Sequence, residues 1–368
     1  MTASLSPNGV ITHTEPAAPN RLVVATLKGL AILERKSGEW RLAGRALEGK
    51  HIGSVMIEPK RGGIFAGAHD GGLYFSGDGG ASWQRRDTGI AEEEVYSLAY
   101  AEEKGGTVLY AGTEPVALYR SEDYGVTWRD APAIAHVPGC EKWMFPAPPN
   151  IAHTKAISID VRDPRIVYAA VEQGALLKSE DGGTSWREIA SYHKEDDFWY
   201  KDVHRIVQLG TRPDTFYMTT GMGLYRSTDD AKTWRQLTGR ENFRIAYPDH
   251  LLVSPLDERV LFLAGALHDP GVWRSSHYAD GGVMVSRDGG ESWQLAERGL
   301  PANRRANIEA MSMSSYPGGF SLFIGNTDGE VYCSEDGAAS WTRIAAGLTP
   351  VSKGGHYRHL QDSQIAHA

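Results

Sequence analysis

The sequence predicts an all-β protein, a seven-bladed β-propeller, from its composition and from a short phrase that recurs along the chain. The 368 residues include 42 glycines, and apolar runs of strand length alternate with turn residues. The phrase Ser-x-Asp, followed five residues after the aspartate by tryptophan, begins at Ser76, Ser121, Ser179, Ser227, Ser286 and Ser334. Self-similarity at a regular period is the sequence signature of repeat architectures, so this repeat indicates the fold class.

Seven tryptophans mark the repeat, and successive members are 43, 45, 58, 48, 59 and 48 residues apart. They are Trp40, Trp83, Trp128, Trp186, Trp234, Trp293 and Trp341. Such spacing is typical of a four-stranded propeller blade. In one unit the apolar pattern predicts strands at 156–161, 166–171 and 175–178, and Trp186 opens a fourth.

The repeated phrase has a structural explanation. Its aspartate can accept hydrogen bonds from the backbone of its own turn, its glycine permits a positive φ, and its tryptophan covers the turn. Two copies carry Ala231 and Ala338 at the position that is glycine in the others. We expect no catalytic role for these aspartates, because six copies on six blades cannot face one substrate.

These segments resemble the Asp-box, or BNR, repeats of sialidase-like and sortilin-like β-propellers and of photosystem assembly factors. The resemblance covers residues 21 to 361 and implies a fold rather than an activity. Sialidases need an arginine cluster introduced by an Arg-Ile-Pro-like motif, and the "PRIVY" that starts at Pro164 has the wrong continuation. Sialidase activity is therefore disfavoured, and the chain lacks the features expected of a sortilin-like receptor or a photosystem factor.

The first unit supplies only three strands, so the ring needs a strand from elsewhere. We predict that Gly355 to Gln361 provides it, so that N- and C-terminal strands share the closing blade. The predicted organisation is an N-terminal tail at 1–20, the propeller at 21–361 and a C-terminal tail at 362–368.

The composition of the chain limits which binding partners and which cellular location we expect. The formal net charge is −8 without a basic block, which argues against nucleic acid. No apolar run is long enough to span a bilayer and the start lacks a signal-peptide pattern, so we expect no membrane partner and a cytoplasmic location. Cys140 and Cys333 are expected to be reduced thiols. The oligomeric state stays open.

Histidines are concentrated on one face. Antiparallel strands sort the loops onto two faces, and the face opposite the repeated turns is called the upper face below. Alignment of the blades predicts that seven residues lie at the rim of the channel on this face. They are Glu94, Glu309, His51, His153, His204, His250 and His356. These five histidines are the predicted ligands of a divalent transition metal, namely zinc, copper, iron or nickel. The predicted catalytic residues are Glu94, Glu309, His250 and His356.

Long upper loops add candidate substrate contacts. The predicted substrate-lining residues are His69, Trp143, His268, Trp273, Arg274 and His277. Asp202 is placed to orient the ring of His204. The acidic run Glu195, Asp196 and Asp197 precedes it, and a proline-rich segment at 137–150 could cover the channel.

Two functions are consistent with this pattern. The first is a metal-dependent enzyme that acts on a small polar substrate by hydrolysis, elimination or metal redox chemistry. The same imidazoles could also act as a metal-free acid or base, or only bond neighbouring loops. The second function is a noncatalytic propeller that binds a protein or a glycan through its upper loops.

Overall fold

Seven β-sheets surround a central channel in the computed structural model, which describes residues 1–145, 149–191, 201–241 and 243–361. The inner strands of successive sheets contact one another and close the ring. Six sheets have four strands and one has five. The predicted all-β seven-bladed propeller is confirmed.

Each blade runs from an inner strand at the channel to an outer strand. The first four blades are β1 Thr2–Leu5, β3 Arg21–Thr26, β4 Gly29–Lys36, β5 Glu39–Ala46; β6 Ile52–Ile57, β7 Ile64–Ala68, β8 Gly72–Ser76, β9 Gln84–Arg85; β10 Glu94–Glu103, β11 Gly106–Glu114, β12 Leu118–Ser121, β13 Arg129–Asp130; and β14 Thr154–Ile159, β15 Val167–Val171, β16 Ala175–Ser179, β17 Arg187–Glu188. The remaining blades are β18 Val203–Gln208, β19 Phe216–Thr220, β20 Gly223–Ser227, β21 Arg235–Gln236; β22 Tyr247–Val253, β23 Leu261–Ala266, β24 Gly281–Ser286, β25 Gln294–Leu295; and β2 Thr12–Thr14, β26 Ile308–Tyr316, β27 Gly319–Asn326, β28 Val331–Ser334, β29 Thr342–Ala345.

Helical elements are short. The described residues form one α-helix, α1 at Pro270–Ser276, and the 3₁₀ helices Pro132–His136, Cys140–Lys142 and Gly355–Leu360. No helix in the described part of the chain has the length and apolar character needed to cross a membrane.

The ring closes with the N-terminal segment, which corrects the predicted closure. β1 pairs parallel with β3 and places Leu5 opposite Val24. Residues 355–360 form a 3₁₀ helix instead of a strand. The position beside β3 is already taken, since Ala3 and Leu5 are fully buried there.

The segment predicted as an N-terminal tail therefore contains two strands. β2 pairs parallel with β26, so the seventh blade contains strands from both ends of the chain. Between the two strands, the carbonyl of Pro7 accepts hydrogen bonds from Arg205 and His250 on blades five and six. The segment thus crosses the channel and ties opposite blades together. The predicted C-terminal tail, 362–368, lies outside the described residues.

The repeated turns are hydrogen-bonded through their aspartates. Oδ1 of Asp181 accepts from the backbone N–H of Ser185 at 2.8 Å, and Oδ2 accepts from its hydroxyl at 2.6 Å. The same pair of bonds forms at Asp78, Asp123, Asp229, Asp288 and Asp336. Ala231 and Ala338 take φ values of 59° and 64°, the left-handed region that glycine adopts without a Cβ penalty.

The hydrophobic core lies between neighbouring blades. One cluster joins blades three and four through Tyr110, Leu118 and Leu177. Another joins blades six and seven through Phe262 and Trp341. Burial between sheets makes each blade depend on its neighbours, which fixes the positions of the inner strands around the channel.

Candidate active site

The inner strands of blades two to seven share one irregularity near their upper ends. In blade seven, Ile308 pairs with Asn326 and Ala310 with Gly325, so Glu309 between them is an extra residue. The equivalent extra residues in the six blades are Gly53, Tyr96, Lys155, His204, Asp249 and Glu309. A β-bulge bends its strand and re-aims the side chain. We call these six residues the bulge ring.

The bulge ring corrects the predicted alignment of the rim. His204 and Glu309 belong to it, as the alignment expects. His51, Glu94 and His153 lie two residues before the bulge of their blades. His250 lies one residue after the bulge. Because a shift of one residue moves a side chain to the other face of a strand, His250 faces Pro7 rather than the upper cavity.

The five histidines predicted as metal ligands do not form one group. Their ring nitrogens bond separate protein groups: His51 the carbonyl of Ser352 at 3.0 Å, His153 the carboxylates of Glu172 at 2.7 Å and Glu114 at 2.9 Å, His204 the carbonyl of Pro248 at 2.7 Å, His250 that of Pro7 at 3.0 Å, and His356 the carboxylate of Glu309 at 2.9 Å. Within the described ranges, the group with metal-ligand spacing is Glu172, Asp202 and His204, which includes one of the five.

Burial affects these imidazoles in opposite ways. Burial lowers the pKa of His51, and the pKa values of His69 and His250 fall well below the usual value for the same reason. For His153 burial also opposes protonation, but the carboxylates of Glu114 and Glu172 on either side raise its pKa. His153 is therefore held as a cation between two carboxylates.

Glu172, at the end of β15, connects the bulge ring to this cation. Its carboxylate binds the ammonium group of Lys155 and the imidazole of His153. Burial opposes its ionisation, yet the charges of Lys155, Lys353 and His153 hold its pKa well below the usual value. Burial lowers the pKa of Lys155 to about 8 despite the attraction of Glu172. Glu172 is thus a buried carboxylate whose ionised form is stabilised by the neighbouring cations.

The neighbouring carboxylate, Asp202, contacts His204. Oδ1 of Asp202 lies 3.3 Å from Nε2 of His204. Nδ1 of the same ring lies 2.7 Å from the carbonyl of Pro248, so Nδ1 carries a proton. The contact between Oδ1 and Nε2 does not have hydrogen-bond geometry, so Asp202 lies beside the ring and does not orient it through a hydrogen bond between these two atoms.

A C-terminal segment, residues 351–360, lies across the bulge ring. The Lys353 ammonium binds Asp249, the Lys353 carbonyl accepts from the Tyr96 hydroxyl at 3.1 Å, and Glu309 accepts from the Lys353 N–H at 3.0 Å. Burial opposes the charge of Lys353, but Asp249, Glu172 and Glu309 raise its pKa above the usual value. Burial likewise opposes ionisation of Asp249, whose pKa is nevertheless lowered, first by Lys353.

These elements enclose a cavity of about 200 Å³ at the upper mouth. It is lined by the aromatic residues Tyr96, Phe145 and Tyr247, by Glu172, Gln173 and Asp202, by Pro270, Gly271 and Arg274 of α1, and by Lys353, Gly354, Gly355, His356 and His359. Blades three to six, α1 and the C-terminal segment all contribute to it. Its volume suits a small polar ligand rather than an extended one.

The predicted catalytic residues are divided between this cavity and its surroundings. His356 lines it, and Glu309 holds the His356 ring at Nδ1. Glu94 is half-buried beside His69, whose Nδ1 is 4.0 Å away. Burial, followed by repulsion from Glu114, raises the pKa of Glu94 to about 7.

Of the six predicted substrate-lining residues, Arg274 lines the cavity and the other five lie outside its lining. Trp273 is fully buried with its ring 5.2 Å from that of His356. The carbonyl of His268 accepts from the Trp273 indole, and His277 ends α1 with a left-handed backbone. The remaining two are His69, which packs between the ring of His51 and the perpendicular ring of Tyr96, and Trp143, which packs against the core of blades three and four.

Parts of two predicted segments lie outside the described residues. The acidic run Glu195, Asp196 and Asp197 falls in 192–200, and the centre of the proline-rich segment falls in 146–148.

Sequence reasoning missed most of the charged residues in the bulge ring and its partners. The charged residues Lys155, Glu172, Asp249 and Lys353 were not predicted, and neither was the aromatic residue Tyr247. A usable signal was present, because "HTKAI" and "YPDHLL" place a charged residue inside an apolar inner strand. Such a residue is buried only when it is paired.

Comparisons with known proteins are consistent with the fold and name a class of enzyme. No family model matches the chain. A xyloglucanase from Paenibacillus sp is 23% identical over 205 residues, which is 49% of this chain and 20% of the relative. An oligoxyloglucan-reducing end-specific xyloglucanase from Emericella nidulans is 25% identical over 217 residues, or 56% and 25% of the two chains. The chain thus spans about a quarter or less of the length of these relatives.

Solved structures agree on the propeller. An ancestral GH74 enzyme superposes with a TM-score of 0.62 at 17% identity. The superposition covers 80% of this chain and 38% of the enzyme's chain. YCF48 from Cyanidioschyzon merolae superposes with a TM-score of 0.52 at 12% identity over 80% and 86% of the two chains. At these identities the likeness shows the fold alone.

The predicted function, a metal-dependent enzyme that acts on a small polar substrate by hydrolysis, elimination or metal redox chemistry, is contradicted in its elimination and metal redox alternatives. The curated relatives are named as xyloglucanases, which are hydrolases of a glycan. The divalent metal cofactor itself stays an untested prediction.

Proposed function

We propose that this protein is a hydrolase that cleaves a glycosidic bond of a short saccharide in the upper cavity. The observation that carries the proposal is that Glu172 and Asp202, on neighbouring blades, present carboxylate oxygens within 4.8 Å of each other. Both line the same cavity. The names of the curated relatives support a glycan as the substrate.

Two facing carboxyl groups are the usual equipment of glycoside hydrolysis. Enzymes that invert configuration separate them by about 6.5–9.5 Å to admit a water, whereas retaining enzymes keep them about 5–5.5 Å apart. Single carboxylate oxygens of Glu172 and Asp202 lie within 4.8 Å of each other, close enough for both groups to act on one glycosidic bond.

The surroundings assign different roles to the two groups. Glu172 is kept ionised by Lys155 and His153, so it faces the positive charge that develops at the anomeric carbon. Asp202, whose Oδ1 lies 3.3 Å from Nε2 of His204, is assigned as the acid that protonates the leaving oxygen. His204 is a positioning residue beside it.

Aromatic rings complete the binding surface. Tyr96 and Tyr247 are buried at the cavity, and Tyr96 stacks on His153 with ring centroids 3.8 Å apart. Rigid aromatic rings with a polar group offer apolar faces to a sugar ring and a hydroxyl to its edge.

Product release from oligosaccharides tests the proposal. Xyloglucan oligosaccharides and a panel of other short glycans are incubated with the wild-type protein and with Asp202→Asn and Glu172→Gln, and new reducing ends are counted. We expect each substitution to reduce the rate by about 10²–10⁴-fold. Asp257→Asn, in a lower-face turn and paired with Arg259, is the matched control and should keep the wild-type rate. No product from folded wild-type protein on the panel would falsify the proposal.

A second candidate is a propeller that binds a glycan without cleaving it. Both oxygens of Glu172 are already engaged, one by Lys155 and one by His153, which favours this alternative. Saccharide binding by the wild-type protein with no new reducing ends would select it.

We also propose that the six turns are true Asp-box repeats. Each aspartate accepts a pair of hydrogen bonds from the residue four positions later, which supports this assignment.

A further inference from the structure

Building on the proposed function, we propose that the upper cavity takes a saccharide that carries a carboxylate group, and that Arg274 binds this carboxylate. The substrate class is then an acidic saccharide, such as one that contains a uronic acid, rather than a neutral one.

The first supporting observation is the position of Arg274. It lies on α1, is exposed, and lines the cavity together with His356 and His359. In the part of the chain that the structure describes, no carboxylate forms an ion pair with it. Two nearby arginines differ, because Arg240 binds Asp269 at 2.9 Å and Arg244 binds Asp280 at 3.0 Å.

The second observation is that three carboxylates near the cavity are already bound by neighbouring basic side chains. Asp249 is bound by Lys353, Glu309 by His356, and Glu172 by Lys155. None of these pairs neutralises Arg274 at the mouth.

The third observation concerns the imidazole beside Arg274. The pKa of His359 is lowered to about 4, mainly by burial and further by His356 and Arg274. His359 is therefore neutral near pH 7, and the guanidinium is the charge that an incoming group meets there. Its planar fork matches a carboxylate through two parallel N–H bonds.

Binding of two sugars that differ at one group tests the inference. D-glucuronate and D-glucose are titrated calorimetrically at pH 7 into wild-type protein, Arg274→Gln, Arg274→Lys and the control Arg287→Gln, which lies in a lower-face turn. We expect glucuronate to bind at least about tenfold more tightly than glucose to the wild type and the control. Arg274→Gln should abolish this preference, and Arg274→Lys should retain part of it.

Three results would overturn the inference: equal affinity for both sugars, a preference that survives Arg274→Gln, or no binding of either sugar to folded wild-type protein. The outcome is separate from that of the hydrolysis assay. Protein that prefers glucuronate but releases no product refutes the hydrolase and leaves the carboxylate site standing. Cleavage of neutral oligosaccharides without a preference for glucuronate refutes the carboxylate site alone.

Discussion

Nδ1 of His356 lies 2.9 Å from Oε1 of Glu309, so the C-terminal segment is bonded directly to the bulge residue of the seventh blade. The same carboxylate accepts from the hydroxyl of Ser352 at 3.0 Å and from the N–H of Lys353 at 3.0 Å. Three bonds from one segment meet on one buried side chain. The cavity is therefore completed by residues more than forty positions away from the strand that holds them.

Removal of the Lys353 charge should destabilise the protein strongly. Lys353→Met leaves the buried carboxylate of Asp249 without its cation, and breaking a buried pair in this way costs about 3–5 kcal/mol. Denaturant unfolding measures the loss. The double variant Lys353→Met/Asp249→Asn should recover part of it, because the uncompensated charge is removed. A single variant as stable as the wild type would refute the pairing.

The N-terminal closing strand should contribute to global stability. Leu5 is fully buried against the seventh blade, so Leu5→Ala should lower the free energy of unfolding by about 2–5 kcal/mol. Leu256, which is 72% exposed, supplies the matched control, and Leu256→Ala should change stability by less than about 0.5 kcal/mol. Equal, small effects of both substitutions would mean that β1 does not close the ring.

The aspartates of the repeated turns should stabilise the fold without affecting activity. Asp181→Ala removes two hydrogen bonds to Ser185 and should cost about 1–3 kcal/mol. Glu180→Ala, at the neighbouring exposed position, should cost less than about 1 kcal/mol. Thermal melts compare the two, and a larger effect at Glu180 would contradict the role given to the aspartate.

Acid should destabilise the protein partly through His13. Burial lowers the pKa of His13 to about 4 against 6.5 for the unfolded chain, although a bond from Ser4 opposes this. Between these pH values the His13 imidazole binds a proton in the unfolded chain but not in the folded protein. The free energy of unfolding therefore falls as pH falls, by about 1.4 kcal/mol per pH unit.

Urea unfolding between pH 4 and 6.5 tests this dependence. His13→Gln should reduce the slope of the free energy of unfolding against pH by the equivalent of about one proton. His136 is exposed, and His136→Gln should leave that slope unchanged. An unaltered slope in His13→Gln would show that His13 is not the group responsible.

The propeller could be predicted because its signals are local and repeated. The residues that form and cover the repeated turn all lie within the eight residues of "SEDGGTSW", and the spacing of the tryptophans gives the number of residues in each blade. The closing strand was missed because "TASL" is four residues long and carries no periodicity of its own. Its position depends on a strand edge that exists only in the folded ring.

The candidate site could be predicted only in outline. Strand parity sorts loops onto faces, and the structure places His356 and Arg274 in the cavity lining and His204 and Glu309 in the bulge ring. The bulges could not be read from a single sequence, so Lys155 and Asp249 were passed over for the neighbouring histidines. The cytoplasmic location and the absence of nucleic-acid or membrane partners stay predictions.

A crystal structure of Asp202→Asn soaked with an oligosaccharide that the wild-type protein cleaves shows whether the upper cavity is the catalytic site. We expect a sugar ring between Tyr96 and Tyr247, with its glycosidic oxygen within hydrogen-bonding distance of the side chain at position 202 and its anomeric carbon facing Glu172. A saccharide bound outside the upper cavity, or one whose glycosidic bond lies away from both positions, would contradict it.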